Sequence, residues 1–412
     1  MTSQAAGADV GAVGASVHGA YLDYAAATPM DPAVVEAMLP WLTERFWNPS
    51  APYAHAREAK RALEEARTTL ARAIGARADG LTLTAGATEA NNLAVAAADG
   101  VVVTDAAEHE SVLACAGARP HTLVGVDARC RVDMGAVERA ITPEVGLVSV
   151  GLANGEVGTV QPIRELSQMV GRERARRLAA GERRPIWLHV DASQAAGHLS
   201  VNVGSLGADL MTLSAAKAYG PKQVGLLWSS DDVRLRPLVL GGGQEGGVRS
   251  GTENVAGVVA FARALELAEE MRGVESRRLA GLRDGLESTL MRAFPWAWVA
   301  GPRRGKGRLP GLLHISFPRL DARRLVILLE RRGVSVGTGS ACAASRMRVS
   351  HVLAAMGVPE EVAAGSLRIT LGRPTTEAEV AYAAQCITEV VRDEAGRLGR
   401  SESGLPCGGG HR

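Results

Sequence analysis

Lys217 stands where a lysine is costly, and this position raises a chemical question. It follows the apolar stretch 209-DLMTL, lies among small residues in 213-LSAAKAYGPKQVG-225 and precedes a Gly-Pro turn. Burial of an amine favours its neutral form, and a neutral lysine can form a Schiff base with an aldehyde. The alternative is a lysine whose ammonium reaches solvent along the surface. Lys222, beyond the Gly-Pro turn, is the competing lysine, and we expect it to stay solvated.

An acid and an amide follow another apolar segment, 186-IWLHV. Asp191 comes directly after it, and Gln194 follows three residues later. In open α/β sheets, ligands bind at the carboxyl ends of the strands. An acid buried there needs a positive partner, and a protonated pyridine nitrogen would serve. Gln194 could then bond a phenolic oxygen on the same ring.

A glycine turn after 81-LTLT could hold a phosphate. In 85-AGATEANN, Gly86 and Ala87 open a helix whose free N–H groups attract an anion, and Thr88 adds a hydroxyl. The same pattern is also an ordinary helix start. His109, past the run 101-VVVT, could stack on a flat cofactor, although a lone histidine is often structural. Together with the lysine and the acid, these groups predict a site for pyridoxal phosphate (PLP).

The second half of the chain adds a nucleophile and a cation. Cys342 lies in the small-residue stretch 337-GTGSACAAS, which suits a mobile loop better than core packing. A free cysteine that fills a core is the alternative. Arg368, in 367-LRITL, needs an anion if it points inward, and a bidentate bond to a substrate carboxylate is a natural role. A polar turn, 154-NGEVGTVQP, contributes Asn154 and Glu156.

Composition excludes several classes of protein. The chain has 412 residues, 46% of them hydrophobic, and a formal net charge of +2, which argues against a dedicated nucleic-acid or membrane surface. The five cysteines (115, 130, 342, 386 and 407) form neither a disulfide framework nor a zinc pattern, so we expect a reducing cytoplasm. The basic run 172-RERARRLAAGERR is expected to be a solvated helix end, with an interaction patch as the alternative.

Elements of alternating type must position these residues. The alternation of apolar runs with helical patterns predicts an α/β fold with a largely parallel sheet, and the segments after a long helix at 254–294 predict a smaller α+β unit. Strand patterns are 81-LTLT, 101-VVVT, 146-GLVSVGLA, 186-IWLHV, 209-DLMTL, 224-VGLLWS, 311-GLLHISF and 367-LRITL. Helical patterns also begin at residues 55, 163, 322 and 377.

From Tyr21 to Leu398 the chain resembles the cysteine desulfurases, the NifS/IscS-like branch of the class V aminotransferases. The matching fragments are 21-YLDYAAATPMDP, 48-NPSA, 86-GATEANNLA, 108-EHESVL, 190-VDASQAAG, 217-KAYGPKQVG, 241-GGGQEGGVRSGTEN, 339-GSACAAS and 367-LRITLGRPT. The resemblance implies the PLP-dependent transferase fold type I, with a mostly parallel seven-stranded sheet. It implies a large PLP-binding domain over 19–270, a small domain carrying the cysteine loop over 271–399, and flexible tails at 1–18 and 400–412.

The resemblance also implies roles for individual residues. Lys217 matches the Schiff-base lysine, and His109 matches the ring-stacking histidine that can also move protons. The other matches are Asp191 at the pyridine nitrogen, Gln194 at the phenolic oxygen, Thr88 and Ser214 at the phosphate, Thr252 at the phosphate of the partner in a homodimer, Cys342 as the nucleophile that receives sulfur as a persulfide, and Arg368, Asn48 and Asn154 on the substrate side.

Two positions depart from the family pattern. Ala216 replaces the usual histidine before the lysine, and Gly155 replaces a second asparagine in the turn after Asn154. Each lost hydrogen bond would cost about 1 kcal/mol, so we expect weaker PLP retention and intact chemistry. The resemblance implies conversion of L-cysteine to L-alanine, with the sulfur destined for iron–sulfur clusters, tRNA or DNA. A selenocysteine lyase, another class V PLP enzyme and a non-catalytic sulfur-relay subunit are the alternatives.

Overall fold

The strands form two sheets. The computed structural model describes residues 19–303, 305, 307–338 and 350–398. Within this part of the chain the strands are β1 (Ala20–Leu22), β2 (Leu81–Thr84), β3 (Val101–Asp105), β4 (His121–Val124), β5 (Val145–Ser149), β6 (Trp187–Asp191), β7 (Leu210–Ser214), β8 (Gly225–Ser229), β9 (Trp298–Val299), β10 (Leu312–Ser316), β11 (Val334–Thr338) and β12 (Ser366–Thr370).

The larger sheet has seven strands in the order β2-β8-β7-β6-β5-β3-β4. Strand β8 pairs antiparallel with both of its neighbours, and the other pairs are parallel. Every residue of β2, β5 and β7 is buried, as expected where helices cover both faces of a sheet. The predicted α/β class with a mostly parallel seven-stranded sheet is therefore confirmed.

Helices connect and cover the strands. They are α1 (Pro32–Met38), α2 (Pro40–Thr43), α3 (Ala54–Ala73), α4 (Ala87–Ala96), α5 (Glu110–Gly117), α6 (Met134–Ala140), α7 (Ile163–Ala179), α8 (Val203–Leu206), α9 (Val255–Ala293), α10 (Ala322–Glu330), α11 (His351–Ala355), α12 (Glu360–Ala363) and α13 (Glu377–Arg397). Single 3-10 turns occur at Ala78–Gly80, Ala215–Lys217 and Glu245–Gly247. Among the described residues, none of the helices has both the length and the apolar character to cross a bilayer.

The smaller sheet joins the two ends of the described chain. Its order is β1-β11-β12-β10-β9, and β1 pairs in parallel with β11, so that Ala20 lies opposite Val334. Helix α9 serves both cores: Phe261 packs with the larger sheet and Leu286 with the smaller one. The predicted domain boundary after residue 270 falls inside this helix, and the two-domain division stays a prediction.

The basic run on α7 is internally paired. Arg176 forms ion pairs with Glu173 and Glu182, with closest distances of 2.7 and 2.9 Å. Arg177 is buried, pairs with Glu173 at 2.6 Å and donates to backbone carbonyls. Much of the positive charge of this segment is therefore neutralised locally, which favours the solvated-helix interpretation over an interaction patch.

Candidate active site

The end of β7 presents Lys217 to a pair of carbonyls. Strand β7 ends at Ser214, and the 3-10 turn that follows ends at Lys217. Its Nζ donates hydrogen bonds to the carbonyl oxygens of Ala25 at 2.7 Å and Ala26 at 2.6 Å. Burial lowers the pKa of Lys217 from 10.5 to about 8, and the positive charge of Arg368 acts in the same direction. A lysine in this state supplies neutral amine near physiological pH.

Arg368 projects from the middle of β12 and is held from two sides. One terminal nitrogen donates to the Asp23 carboxylate at 2.8 Å, and the other donates to the Gly155 carbonyl at 3.3 Å. The side chain is buried, and its Nε has no hydrogen-bond partner among the described residues. A buried guanidinium with an unpaired donor suits a carboxylate, which accepts several hydrogen bonds at once.

Two buried titratable groups lie behind Arg368. His314 lies opposite it in the β10–β12 register, and Nε2 of His314 is 3.8 Å from the Glu156 carboxylate. Burial raises the pKa of Glu156 from 4.5 to about 8. Burial and the nearby positive charge of Arg368 lower the pKa of His314 to about 3. Both groups are therefore neutral near pH 7, so the positive charge of Arg368 stays available to an anion.

Asp191 and Gln194 follow β6, as the sequence predicted. Asp191 is half-buried, and its carboxylate accepts hydrogen bonds from the Asn91 amide at 2.8 Å and from the Ser193 N–H at 2.9 Å. Gln194 donates to the Ala25 carbonyl at 3.1 Å. Since Lys217 donates to the same carbonyl, a shared acceptor brings the two strand ends together.

His109 is exposed at the start of α5. Its Nδ1 accepts a hydrogen bond from the Ser111 N–H at 3.1 Å, which caps the helix, and the Ser111 hydroxyl lies 2.8 Å away. The same hydroxyl accepts a hydrogen bond from Asn91 at 2.8 Å. Since Asn91 also bonds Asp191, a continuous chain of hydrogen bonds joins the predicted ring stacker to the predicted pyridine partner.

The predicted phosphate site lies at the start of α4. Gly86 has φ 128°, and no described heavy atom lies within 4 Å of the position that its Cβ would occupy. Ala87 is the first residue of the helix, Thr88 is exposed in its first turn, and Ser214 ends the neighbouring strand β7. An open glycine turn at a helix N-terminus suits a phosphate.

The remaining predicted site residues are less closely tied to this arrangement. Asn48 is exposed and accepts from the Ser50 N–H. Thr252 is exposed and lines a cleft together with Thr84 and Ala85 of its own chain. The Asn154 side chain donates to the Ala107 carbonyl and accepts from two backbone N–H groups, so the turn itself engages both ends of its amide. Cys342 lies outside the described residues.

The two departures from the family pattern have local consequences. A Cβ at Gly155 would lie 2.9 Å from both Cγ and Cδ of Gln194, so the glycine makes room for the position that Gln194 adopts. The Ala216 carbonyl accepts hydrogen bonds from the N–H and the hydroxyl of Thr28, at 3.2 and 3.0 Å. The loop that carries Lys217 is thereby fixed through its backbone, without a histidine at position 216.

Sequence reasoning assigned no role to Asp23, Asn91 and Ser111. Asp23 reaches Arg368 across 345 residues of chain, a pairing that local pattern does not reveal. Asn91 did leave a signal, because it is a polar residue on the apolar face of α4, between Ala90 and Leu93. A buried amide has to find hydrogen-bond partners, and this one finds Ser111 and Asp191.

The residues present fit PLP. The cofactor carries an aldehyde, a pyridine nitrogen, a phenolic oxygen and a phosphate. The structure offers a partly desolvated amine at Lys217, a carboxylate at Asp191, an amide at Gln194 and an open glycine turn at Gly86. The donor set therefore matches each of these groups in chemical type, with His109 free to cover the ring.

Comparisons with known proteins agree with this chemistry. The family model Aminotransferase class-V matches residues 20–382. Cysteine desulfurase IscS of Dictyoglomus turgidum is 38% identical over 386 residues, covering 90% of this chain and 94% of that protein. The crystallised NifS-like protein is 32% identical with a TM-score of 0.83, covering 92% of this chain and all of that one. A structure described as SspA in complex with cysteine is 30% identical, with a TM-score of 0.72 and coverage of 85% and 98%. The chain belongs to the class-V aminotransferase family, in its NifS/IscS-like cysteine desulfurase branch.

Proposed function

We propose that this protein is a PLP-dependent cysteine desulfurase that converts L-cysteine to L-alanine and keeps the sulfur on Cys342 as a persulfide. Within the family assignment, the observation that carries the proposal is the buried arrangement of Lys217 and Arg368. An amine with its pKa lowered to about 8 lies close to a guanidinium that has an unpaired donor. This combination suits an α-amino acid, whose carboxylate binds the arginine while its amino group and Cα face the lysine.

The cofactor would be held by groups already in place. Lys217 would bind its aldehyde, Asp191 its pyridine nitrogen and Gln194 its phenolic oxygen, while the turn at Gly86 would receive the phosphate and His109 would cover the ring. When bound, PLP supplies an electron sink for the pair released as the substrate Cα–H bond breaks. The Asn91 and Ser193 hydrogen bonds orient the Asp191 carboxylate for this contact.

The protein's own residues would then handle the substrate. Arg368 holds the carboxylate, and the neutral amine of Lys217 takes the proton from Cα. The Cys342 thiolate attacks the substrate sulfur, whose bond to Cβ breaks, and the carbon fragment is protonated and leaves as alanine. The overall change is balanced and needs no external oxidant, since L-cysteine and the enzyme thiol give L-alanine and the enzyme persulfide.

We propose a homodimer in which Thr252 reaches the partner's phosphate site. Large apolar side chains are exposed near α1 and α2 and near the segment before Thr252, namely Leu39, Leu42, Phe46, Tyr53, Leu238 and Leu240. Leu240 is 81% exposed and Phe46 is 68% exposed. Such patches commonly mark protein interfaces, and a second copy of the chain would cover them.

The sulfur would pass to an acceptor protein. Iron–sulfur cluster assembly, tRNA thiolation and DNA phosphorothioation are the candidate destinations. The cysteine usage of the sequence supports a cytoplasmic location, and the described cysteines Cys115, Cys130 and Cys386 are free. The cysteine complex of the similar SspA structure supports L-cysteine over selenocysteine as the substrate.

The test is alanine and persulfide formation from L-cysteine by the purified protein, with its visible cofactor absorbance recorded first. We expect a yellow protein whose alanine release is abolished in Cys342→Ala and retained in Cys115→Ala, the matched control. Arg368→Lys should raise KM more than tenfold, because the bidentate carboxylate contact is lost. Alanine release that survives loss of Cys342 would indicate a lyase, and a colourless, inactive wild type would favour the sulfur-relay alternative.

A further inference from the structure

The hydrogen-bond chain between Asp191 and His109 has a fixed direction. Asp191, when ionised, can only accept hydrogen bonds, so the Asn91 amide must turn its NH2 group toward it. The second hydrogen of the same NH2 group points to the Ser111 hydroxyl, which therefore accepts it. Asn91 is fully buried, and its Oδ1 has no partner among the described residues, so the contacts of the NH2 group alone determine the orientation of the amide.

The direction continues to the histidine ring. Because the Ser111 hydroxyl accepts from Asn91, its own hydrogen is free to be donated to His109 Nδ1, 2.8 Å away. The Ser111 N–H donates to the same nitrogen at 3.1 Å. Two donors converge on Nδ1, so the ring proton of a neutral His109 is placed on Nε2, at the exposed end of the ring.

We propose that Asn91 and Ser111 are positioning residues that couple the ionisation of Asp191 to the tautomer of His109. When Asp191 is ionised, the chain fixes the Nε2–H tautomer. When Asp191 is neutral, its own hydroxyl can donate to a flipped Asn91 amide. The Ser111 hydroxyl can then donate to Asn91 Oδ1 and is withdrawn from His109. The group proposed to meet the pyridine nitrogen and the group proposed to cover the ring thus report on each other, and this functional meaning rests on the proposed function above.

Ser111 is the link that makes the coupling possible. Its side chain is buried, and its oxygen is the atom that touches both Asn91 and His109. An alanine at position 111 would leave the helix cap intact, because the backbone N–H still reaches Nδ1. It would break the connection to Asn91 and Asp191, so the structural and the coupling roles of this residue can be separated by substitution.

The test is the tautomer of His109, read by NMR of protein labelled with 15N and 13C in histidine. The chain has nine histidines, and the signal lost in His109→Gln assigns the one of interest. We expect the Nε2–H form in the wild type. Ser111→Ala should lower the ratio of Nε2–H to Nδ1–H about fivefold, the effect of one ordinary hydrogen bond. Ser111→Thr, which restores a hydroxyl, should return the ratio to the wild-type value.

The decisive variant lies at the far end of the chain of hydrogen bonds. Asp191→Asn, which can donate to a flipped Asn91, should shift the His109 tautomer as Ser111→Ala does. Asn92→Ala is the matched control, because the neighbouring Asn92 amide bonds the Thr88 carbonyl and lies outside the chain, so it should leave the tautomer unchanged. A tautomer that does not respond to Asp191→Asn overturns the coupling, as does an Nδ1–H tautomer in the wild type. The readout needs no turnover, so it can fail or succeed independently of cysteine desulfuration.

Discussion

The titration of Lys217 gives the most direct test of the site. Its pKa is lowered from 10.5 to about 8 by burial and by the nearby Arg368. At pH 7.5 about a quarter of such side chains are neutral, against roughly 0.1% for a lysine at the ordinary value, a gain of about 200-fold in reactive amine. Arg368→Gln removes a neighbouring positive charge and releases Asp23 from its ion pair, and both changes favour the ammonium. We expect the Lys217 pKa to rise above 8 in this variant and to stay below 10.5, since burial is the larger cause.

The assay is competitive acetylation of the cofactor-free protein across pH, followed by peptide mass spectrometry. The sequence has four lysines, at positions 60, 217, 222 and 306, so each can be followed separately. Arg324→Gln is the control, because Arg324 pairs with Glu394 and is not among the charges that act on Lys217. A wild-type Lys217 that titrates near 10.5 would refute the reasoning, as would an Arg368→Gln variant with an unchanged or lower value.

Three further predictions concern the turn beside Arg368. Burial raises the pKa of Glu156 from 4.5 to about 8, so stability should fall as pH rises between these values, by up to about 1.4 kcal/mol per pH unit; Glu156→Gln should flatten this dependence in urea unfolding at pH 6 and pH 8. Asn154→Ala should lower the free energy of unfolding by about 2–3 kcal/mol, because three hydrogen bonds to the backbone are lost. Gly155→Ala should displace Gln194 from the Ala25 carbonyl in a crystal structure of the variant, because the new Cβ would lie 2.9 Å from its Cγ.

Each of these predictions has a matched control or a defined contrary result. Glu138→Gln changes a carboxylate that is 68% exposed, and we expect the wild-type pH dependence to persist. Asn92→Ala removes one hydrogen bond to the backbone and should cost less than Asn154→Ala. A pH-independent wild type, an Asn154→Ala protein as stable as Asn92→Ala, or an undisturbed Gln194 in the Gly155→Ala variant would each contradict the corresponding argument.

The parallel strands of the larger sheet were predictable because their residues form continuous apolar runs. The segments 81-LTLT and 186-IWLHV fall within one residue of β2 and β6, and the polar groups at their ends follow from the chain order. Strand β1 was not predicted, because three residues carry no periodic signal and its partner β11 is more than 300 residues away. Strand β4 was missed because three of its four residues are exposed.

Within the site, sequence indicated residue types and missed partners. The pattern around Lys217 predicted a desolvated amine, and the lowered pKa agrees with it. The Asp23 ion pair to Arg368 and the route from Asp191 through Asn91 depend on how distant elements pack, and no local pattern encodes that packing. Gly155 read from the sequence as a lost side chain, whereas in the structure it provides the space that Gln194 occupies.

The pairing of β1 with β11 constrains how the chain folds as it is made. Residues 20–22 need residues 334–336, and Asp23 needs Arg368, so the first strand waits for about 350 residues of synthesis. At about 5–20 residues per second, that wait lasts roughly 20–70 s. During this interval the seven-stranded sheet, complete by residue 229, can form while the N-terminal segment remains unpaired on the nascent chain. Vectorial synthesis therefore assembles the scaffold first, and the carboxylate site forms last, when the two ends of the polypeptide meet.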